Sequence, residues 1–216
     1  MKIPIYTVDA FTSELFKGNP AAVCILTEPI KESLMQKIAF EMNLSETAFV
    51  SIEKDRKEIN LRWMTPVCEV DLCGHATLAA SHILWEEGYI KNSESINFHT
   101  RSGKLTAYYN DGEIYLQLPL IPQKEIKYPD ELIEAIGGNK PKYVGMTKWN
   151  YLIELENEET VRNLNPNYDI MLKLPGWGCI VTAKANSSSK FDFISRFFAP
   201  EKGIKEDPVT GTAHCT

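Results

Sequence analysis

The chain lacks the features that mark membrane, nucleic-acid-binding and secreted proteins. No apolar run reaches the roughly 18 residues a membrane-spanning helix needs. Acidic residues number 29 against 23 Lys and Arg, a formal charge of −6, so no basic stripe is available to neutralise phosphates. The five cysteines form no C-x-x-C pair, and an odd number without an export signal reads as reduced thiols rather than a disulfide framework. Met1-Lys-Ile-Pro-Ile-Tyr-Thr-Val-Asp9 reads as a strand and lacks the apolar core and cleavage site of a signal peptide. Cys68, Cys73 and His75 match no common zinc spacing. The expectation is a cytoplasmic, soluble protein with no nucleic-acid, membrane or metal partner.

What is present is ordinary globular composition. The 216 residues are 44% hydrophobic and 24% charged, enough to bury a core in one large or two smaller lobes. Residues 3–11 and 21–26 read as strands, and 31–42 as an amphipathic helix with Leu34, Met35, Ile38 and Met42 inward and Asn43 at its left-handed end. Strands are expected over 44–52, with Ala48 and Val50 opposite Phe49, and over 59–64. A helix closed by Gly88 follows, and strands over 95–99, 104–109 and 113–118, the last two joined by the turn pair Asp111-Gly112.

Pro119-Leu-Ile-Pro122 breaks the chain into lobes 1–118 and 119–216. The second lobe reads as a short helix ended by Gly137-Gly138, strands near 143–145 and 150–155, and a helix over 158–164. Leu172–Leu174 reads as a strand, followed by strands near 178–183 and 191–198. Many strands with few helices, and no regular βαβ alternation, predict an α+β fold of two similar lobes, each a curved, mostly antiparallel sheet around a helix.

An internal repeat supports this division. Arg62-Trp-Met-Thr-Pro66 leads to Glu69-Val-Asp71 and Gly74; Arg196-Phe-Phe-Ala-Pro200 leads to Glu206-Asp207 and Gly211. Each copy ends at a glycine opening a helix, whose first N–H groups lack intrahelical partners and favour negative charge. Gly74 and Gly211 are thus candidate holders of a carboxylate or a developing oxyanion, at two helix starts expected to face one cleft.

Cys73 at a helix start could shuttle protons, but a two-base reaction needs a second acid at the matching place, which is Thr210. Cys73 therefore reads as a half-buried packing residue. His75 sits beside two backbone donors and reads as a ligand contact. Asp207, held extended before Pro208, can cap the helix or bind a ligand, and Thr212 adds a hydroxyl beside Gly211. Glu46 lies in a polar cluster with Asn43, Ser45 and Thr47. Part-burial there is expected to raise its pKa toward that of a general acid/base.

At these residues the sequence resembles the phenazine-biosynthesis PhzF-like isomerase family, related in fold to diaminopimelate epimerase. The matching stretches are Asp9-Ala-Phe-Thr12, Gly18-Asn-Pro-Ala-Ala-Val23, Asn43-Leu-Ser-Glu-Thr-Ala-Phe49, Leu72-Cys-Gly-His-Ala-Thr-Leu78 and Glu206-Asp-Pro-Val-Thr-Gly-Thr-Ala-His214, spread end to end. The resemblance implies paired barrel-like lobes, a site between them, and Glu46 as the acid/base of a proton-shift isomerisation. It implies that His75, Asp207 and Thr212 line the site, the last in place of a serine, with Asn19 beside them. It implies no metal or organic cofactor, a small carboxylate-bearing substrate and a homodimer. Family chains continue past the Gly-Thr-Ala-His stretch. A stop at Thr216 would leave the second helix about one turn long and sheet edges open, so a longer parent protein is expected. The alternatives are a two-base epimerase using Cys73 and a non-catalytic binding protein that keeps the fold.

Overall fold

Runs of β-branched and aromatic residues punctuated by Gly, Pro and Asn build two sheets in this computed structural model, which describes residues 2–14, 16–52 and 59–216 except the side chain of Thr212. The chain divides into units Met1–Pro119 and Leu120–Thr216.

In the first unit the order is β1 (Ile5–Ala10), β2 (Asn19–Leu26), α1 (Glu32–Met42), β3 (Glu46–Ile52), β4 (Ile59–Met64), β5 (Glu69–Val70), α2 (Gly74–Glu86), β6 (Ile96–Thr100), β7 (Gly103–Asn110) and β8 (Glu113–Gln117). The strands form one sheet in the order β1-β2-β3-β4-β6-β7-β8, with β5 on β4. The β2–β3 and β4–β6 pairs are parallel. The other pairings are antiparallel. Alternation along β3 divides its side chains between two cores. Ala48 and Val50 join the cluster around Ala76, Ala79, Ala80, Ile83 and Leu84 of α2, whereas Phe49 packs with Met35 and Ala39 of α1.

α2 is buried on nearly every side, because Gly74, Ala76, Ala79 and Ala80 let the curved sheet close on it. The punctuation behaves as its chemistry dictates. Asn43 ends α1 in the left-handed region at φ 51°. Asp111 and Gly112, at φ 50° and 85°, make the doubly positive turn that suits the twist of a β-hairpin. One expectation is corrected: Leu34 is 40% exposed. The buried face of α1 is Met35 and Ala39, because the sheet meets α1 along a narrower stripe than its apolar residues span.

In the second unit the order is β9 (Lys124–Glu125), α3 (Glu131–Ala135), β10 (Tyr143–Met146), β11 (Asn150–Glu154), α4 (Glu158–Arg162), α5 (Tyr168–Met171), β12 (Gly178–Lys184), β13 (Phe193–Ala199) and β14 (Ile204–Asp207). Short 3₁₀ turns span Pro200–Lys202 and Gly211–Cys215. The sheet runs β14-β13-β12-β11-β10-β9. Its Tyr151, Ile153, Cys179, Val181 and Phe198 pack with Leu132, Val161 and Met171 of α3, α4 and α5. The opposite face lines an open hollow of about 640 Å³ through Leu152, Ile180, Thr182, Phe193 and Ser195. Leu172–Leu174 is a turn rather than a strand. The Asn167 side chain accepts the Ile170 N–H and caps α5 just upstream, a local bond that commits this stretch to a helix and its exit. Among the described residues no helix is long and apolar enough to cross a membrane.

The repeat seen in the sequence is a structural duplication. β1-β2-β3-β4-β5 and β10-β11-β12-β13-β14 pair in the same senses: antiparallel, parallel, antiparallel, antiparallel. Arg62 grips Glu69 through Nε and Nη2 at 2.7 and 2.6 Å. Arg196 grips Glu206 through the same atoms at 2.7 and 2.8 Å. Trp63 faces Val70 across β4 and β5, as Phe197 faces Asp207 across β13 and β14. Each arginine also ties its strand to the crossover helix, Arg62 through Glu32 of α1 and Arg196 through the carbonyls of Val161 and Leu164.

In this register Glu46 opens β3 opposite Ala21, and its counterpart Gly178 opens β12 opposite Asn150. Gly178 has no room for a side chain: an added Cβ would lie 2.0 Å from the Phe198 carbonyl oxygen. Gly178→Ala is therefore expected to destabilise the protein by roughly 2 kcal/mol or more, the upper part of the usual overpacking range. Thermal unfolding followed by circular dichroism reads this, and an unchanged Tm would show that β12 and β13 can part there without cost.

Candidate active site

Asn43 reverses the chain out of α1 and places Ser45 and Glu46 at the start of β3. Gly18, at φ +80°, brings Asn19 in at the start of β2; a Cβ on Gly18 would meet the Ala10 carbonyl oxygen at 2.2 Å. Cys73, extended at φ −143° and ψ 113°, is the N-cap of α2 and makes no side-chain cap bond. These two turns and the start of α2 bring Asn19, Glu46, Cys73, Gly74 and His75 together, all of them buried.

The contacts are specific. His75 Nε2 lies 3.3 Å from Glu46 Oε2 and 3.3 Å from Ser45 Oγ. Ser45 Oγ donates to Asn19 Oδ1 at 3.4 Å. On the other edge of the ring, Cys73 Sγ is 3.5 Å from Nδ1. A carboxylate at 3.3 Å would by itself favour the imidazolium, but the ring is 2% exposed and desolvation dominates, pulling its pKa down from 6.5 to about 4. The ring is neutral at pH 7, so its close contact with Glu46 is not a charged ion pair.

Donor atoms of Glu46, Cys73 and His75 all lie within 4.8 Å of one another, a sulfur, nitrogen and oxygen set of the kind zinc takes. The two acidic partners, however, address opposite nitrogens of one imidazole, and a single ion uses only one of them. The observed contacts use both, Cys73 at Nδ1 and Ser45 at Nε2. Beside this cluster the first turn of α2 presents N–H groups that have no acceptor within the helix, and the helix dipole adds positive potential there.

In the second unit Asp207 is buried and accepts from Thr210 Oγ1 at 2.5 Å. Thr210 is extended like Cys73, at φ −114° and ψ 104°. Gly211 opens a short 3₁₀ turn instead of an α-helix, and the side chain of Thr212 lies outside the described residues. His214 packs its ring against Phe193 at 5.6 Å between centroids. The counterparts of Glu46 and Cys73 are thus Gly178 and Thr210, and neither titrates near neutrality. Ser45 is the site residue that the sequence reading named only as part of a polar cluster. Its signal was adjacency to Glu46, but its bonds reach 26 and 30 residues along the chain.

The family described as phenazine biosynthesis-like protein (PhzC-PhzF) matches residues 8–216. The chain belongs to this family. A relative from Halalkalibacterium halodurans, named an uncharacterised isomerase, is 50% identical over 216 residues, covering 100% of this chain and 80% of its own length. A crystal structure of a PhzF-family protein from Enterococcus faecalis matches with a TM-score of 0.86 and 41% identity over 100% of this chain and 80% of that one. A Pseudomonas aeruginosa structure titled a predicted epimerase matches at TM-score 0.72 and 18% identity, over 99% of this chain and 79% of that one. At that identity it shows a shared fold alone. This phenazine biosynthesis-like chain thus has the mixed α+β, curled-sheet architecture also seen in an epimerase-named structure.

The neutral His75 has a measurable consequence. The unfolded chain protonates this histidine below about pH 6.5, whereas the folded ring resists until about pH 4. Stability should fall as pH drops through that window, because the unfolded state binds the extra proton. The contribution is roughly 3 kcal/mol. Urea unfolding at pH 7 and pH 4.5 should show a smaller loss in His75→Gln than in the natural chain; equal losses would mean the ring is protonated when folded.

Proposed function

We propose that this chain is an isomerase that shifts a proton within a small, carboxylate-bearing metabolite, with Glu46 as its acid/base and no metal or organic cofactor. The observation that carries the reading is a buried carboxyl group lying 3.3 Å from a neutral, buried imidazole, beside the N-terminus of a 13-residue helix. The Glu46 carboxylate takes a proton from a carbon made acidic by conjugation with the substrate's carboxylate. The electron pair left behind spreads into that conjugated system as enolate-like charge. The N–H groups at Gly74 and the following residues of α2 stabilise this charge, which is absent from the ground state. Protonated Glu46 then returns its proton to another carbon of the same system, so acid and base are one group.

His75 holds the carboxyl group in place, and Asn19 supports that arrangement through Ser45. Polar contacts to substrate are assigned to Asp207, Gly211 and Thr212 from the family resemblance and the repeat. Two-base epimerisation through Cys73 is disfavoured because a second acid is missing from the duplicated positions: Gly178 stands for Glu46 and Thr210 for Cys73. The names of the relatives as isomerases accord with the reaction class.

The experiment is turnover of a panel of conjugated and cyclic carboxylic acids in D₂O, read by proton NMR for loss of a carbon-bound hydrogen. Glu46→Gln should lower the rate by roughly 10² to 10⁴, the usual worth of a general acid/base. Full exchange activity in Glu46→Gln would remove Glu46 from the mechanism.

A further inference from the structure

We infer that Cys73 is a positioning residue: its S–H donates to Nδ1 of His75 and locks the ring as the Nε2–H tautomer, which holds Glu46 ready as a base. The direction of every hydrogen in the cluster follows from one end. Asn19 Oδ1 is a carbonyl oxygen and only accepts, so Ser45 Oγ, 3.4 Å away, spends its single hydrogen there. Ser45 Oγ can then only accept from the ring 3.3 Å away, and Nε2 must carry the hydrogen. Glu46 Oε2 lies 3.3 Å from the same nitrogen, so the positive N–H edge of the ring sits beside the carboxyl group. A neutral imidazole with hydrogen on Nε2 has a bare lone pair on Nδ1. That nitrogen is buried, and a buried acceptor without a donor is costly. Cys73 Sγ, 3.5 Å away, supplies the donor.

Two further features fit. Cys73 is the N-cap of α2 but makes no side-chain cap bond, so its sulfur faces the ring instead of the helix N–H groups. The opposite tautomer would point the Nε2 lone pair at Glu46 and Ser45 together. It would be repelled by a carboxylate, and Glu46 would have to carry a proton before substrate arrives. The thiol therefore decides, through the ring, whether the resting carboxyl group is a base or an acid. In this role Cys73 keeps its own proton and is not itself a base. The catalytic meaning rests on the proposed role of Glu46, but the tautomer does not.

The test needs no substrate. Protein labelled with ¹⁵N-histidine is recorded at neutral pH in a ¹H–¹⁵N correlation through the two-bond couplings of the ring, whose pattern distinguishes the tautomers. The His75 signal is assigned by its absence from His75→Gln. The natural chain should show the Nε2–H pattern. Cys73→Ser, which retains a donor, should keep it, and Cys73→Val, of similar shape without a donor, should lose it. An Nδ1–H or doubly protonated pattern in the natural chain would overturn the inference, and so would an unchanged Nε2–H pattern in Cys73→Val. Cys73→Ala replaces the valine variant if the latter does not fold, with the same outcomes. Retained exchange activity in Glu46→Gln would sink the acid/base role while leaving the tautomer result standing, so the two failures are separable.

Discussion

Helix α2 is enclosed by its own sheet, and the rest of the first unit depends on that enclosure. Gly74, Ala76, Ala79 and Ala80 are all buried, and their small side chains let strands approach from several directions. Larger residues at those positions would hold the sheet open and admit water to the helix start. Because water is excluded, the imidazole of His75 stays neutral despite a carboxyl group at hydrogen-bonding distance. A neutral ring has one donor and one acceptor edge, which is what allows Cys73, His75, Ser45 and Asn19 to be linked in a single direction. The chemistry assigned to Glu46 follows from packing before it follows from any catalytic group.

The second unit shows what the same scaffold does without that chemistry. It keeps the strand senses, the arginine–glutamate fork and the extended residue before the glycine. The forks are bidentate and charge-assisted, and each also reaches its crossover helix, so they fix the placement of the strand that precedes the glycine. What differs is the set of side chains the scaffold presents. Gly178 stands where Glu46 stands because the Phe198 carbonyl closes on it. Thr210 stands for Cys73 and turns its hydroxyl to Asp207, whose own counterpart is the apolar Val70. Duplication preserved the backbone device and divided the titratable groups unequally between the two units.

Much of the backbone was legible because its signals are local. Period-two alternation assigned Ala48 and Val50 to one core and Phe49 to the other. Asn43 and the pair Asp111-Gly112 marked a helix end and a hairpin through their tolerance of positive φ. The repeated arginine, proline, acid and glycine pattern exposed the duplication. The short helix α5 was missed because its cue is a single side-chain cap from Asn167, which weighed less than the apolar residues that follow. The inward role given to Leu34 failed because helical periodicity reports an apolar face but not how wide a face the sheet covers.

The sequence by itself determined the family, the two-unit α+β organisation and the identity of Glu46 and His75 as the residues to watch. Those rest on residue types at short spacings, which a linear reading can recognise. Only the tertiary structure decided that Ser45 links Asn19 to His75, that Cys73 faces the ring and not the helix N–H groups, and that the ring is neutral. Each of these depends on which groups are brought within about 3.5 Å and deprived of water together. Both conditions are set by the closure of strands distant in sequence around α2, and neither is encoded in any single stretch of the chain.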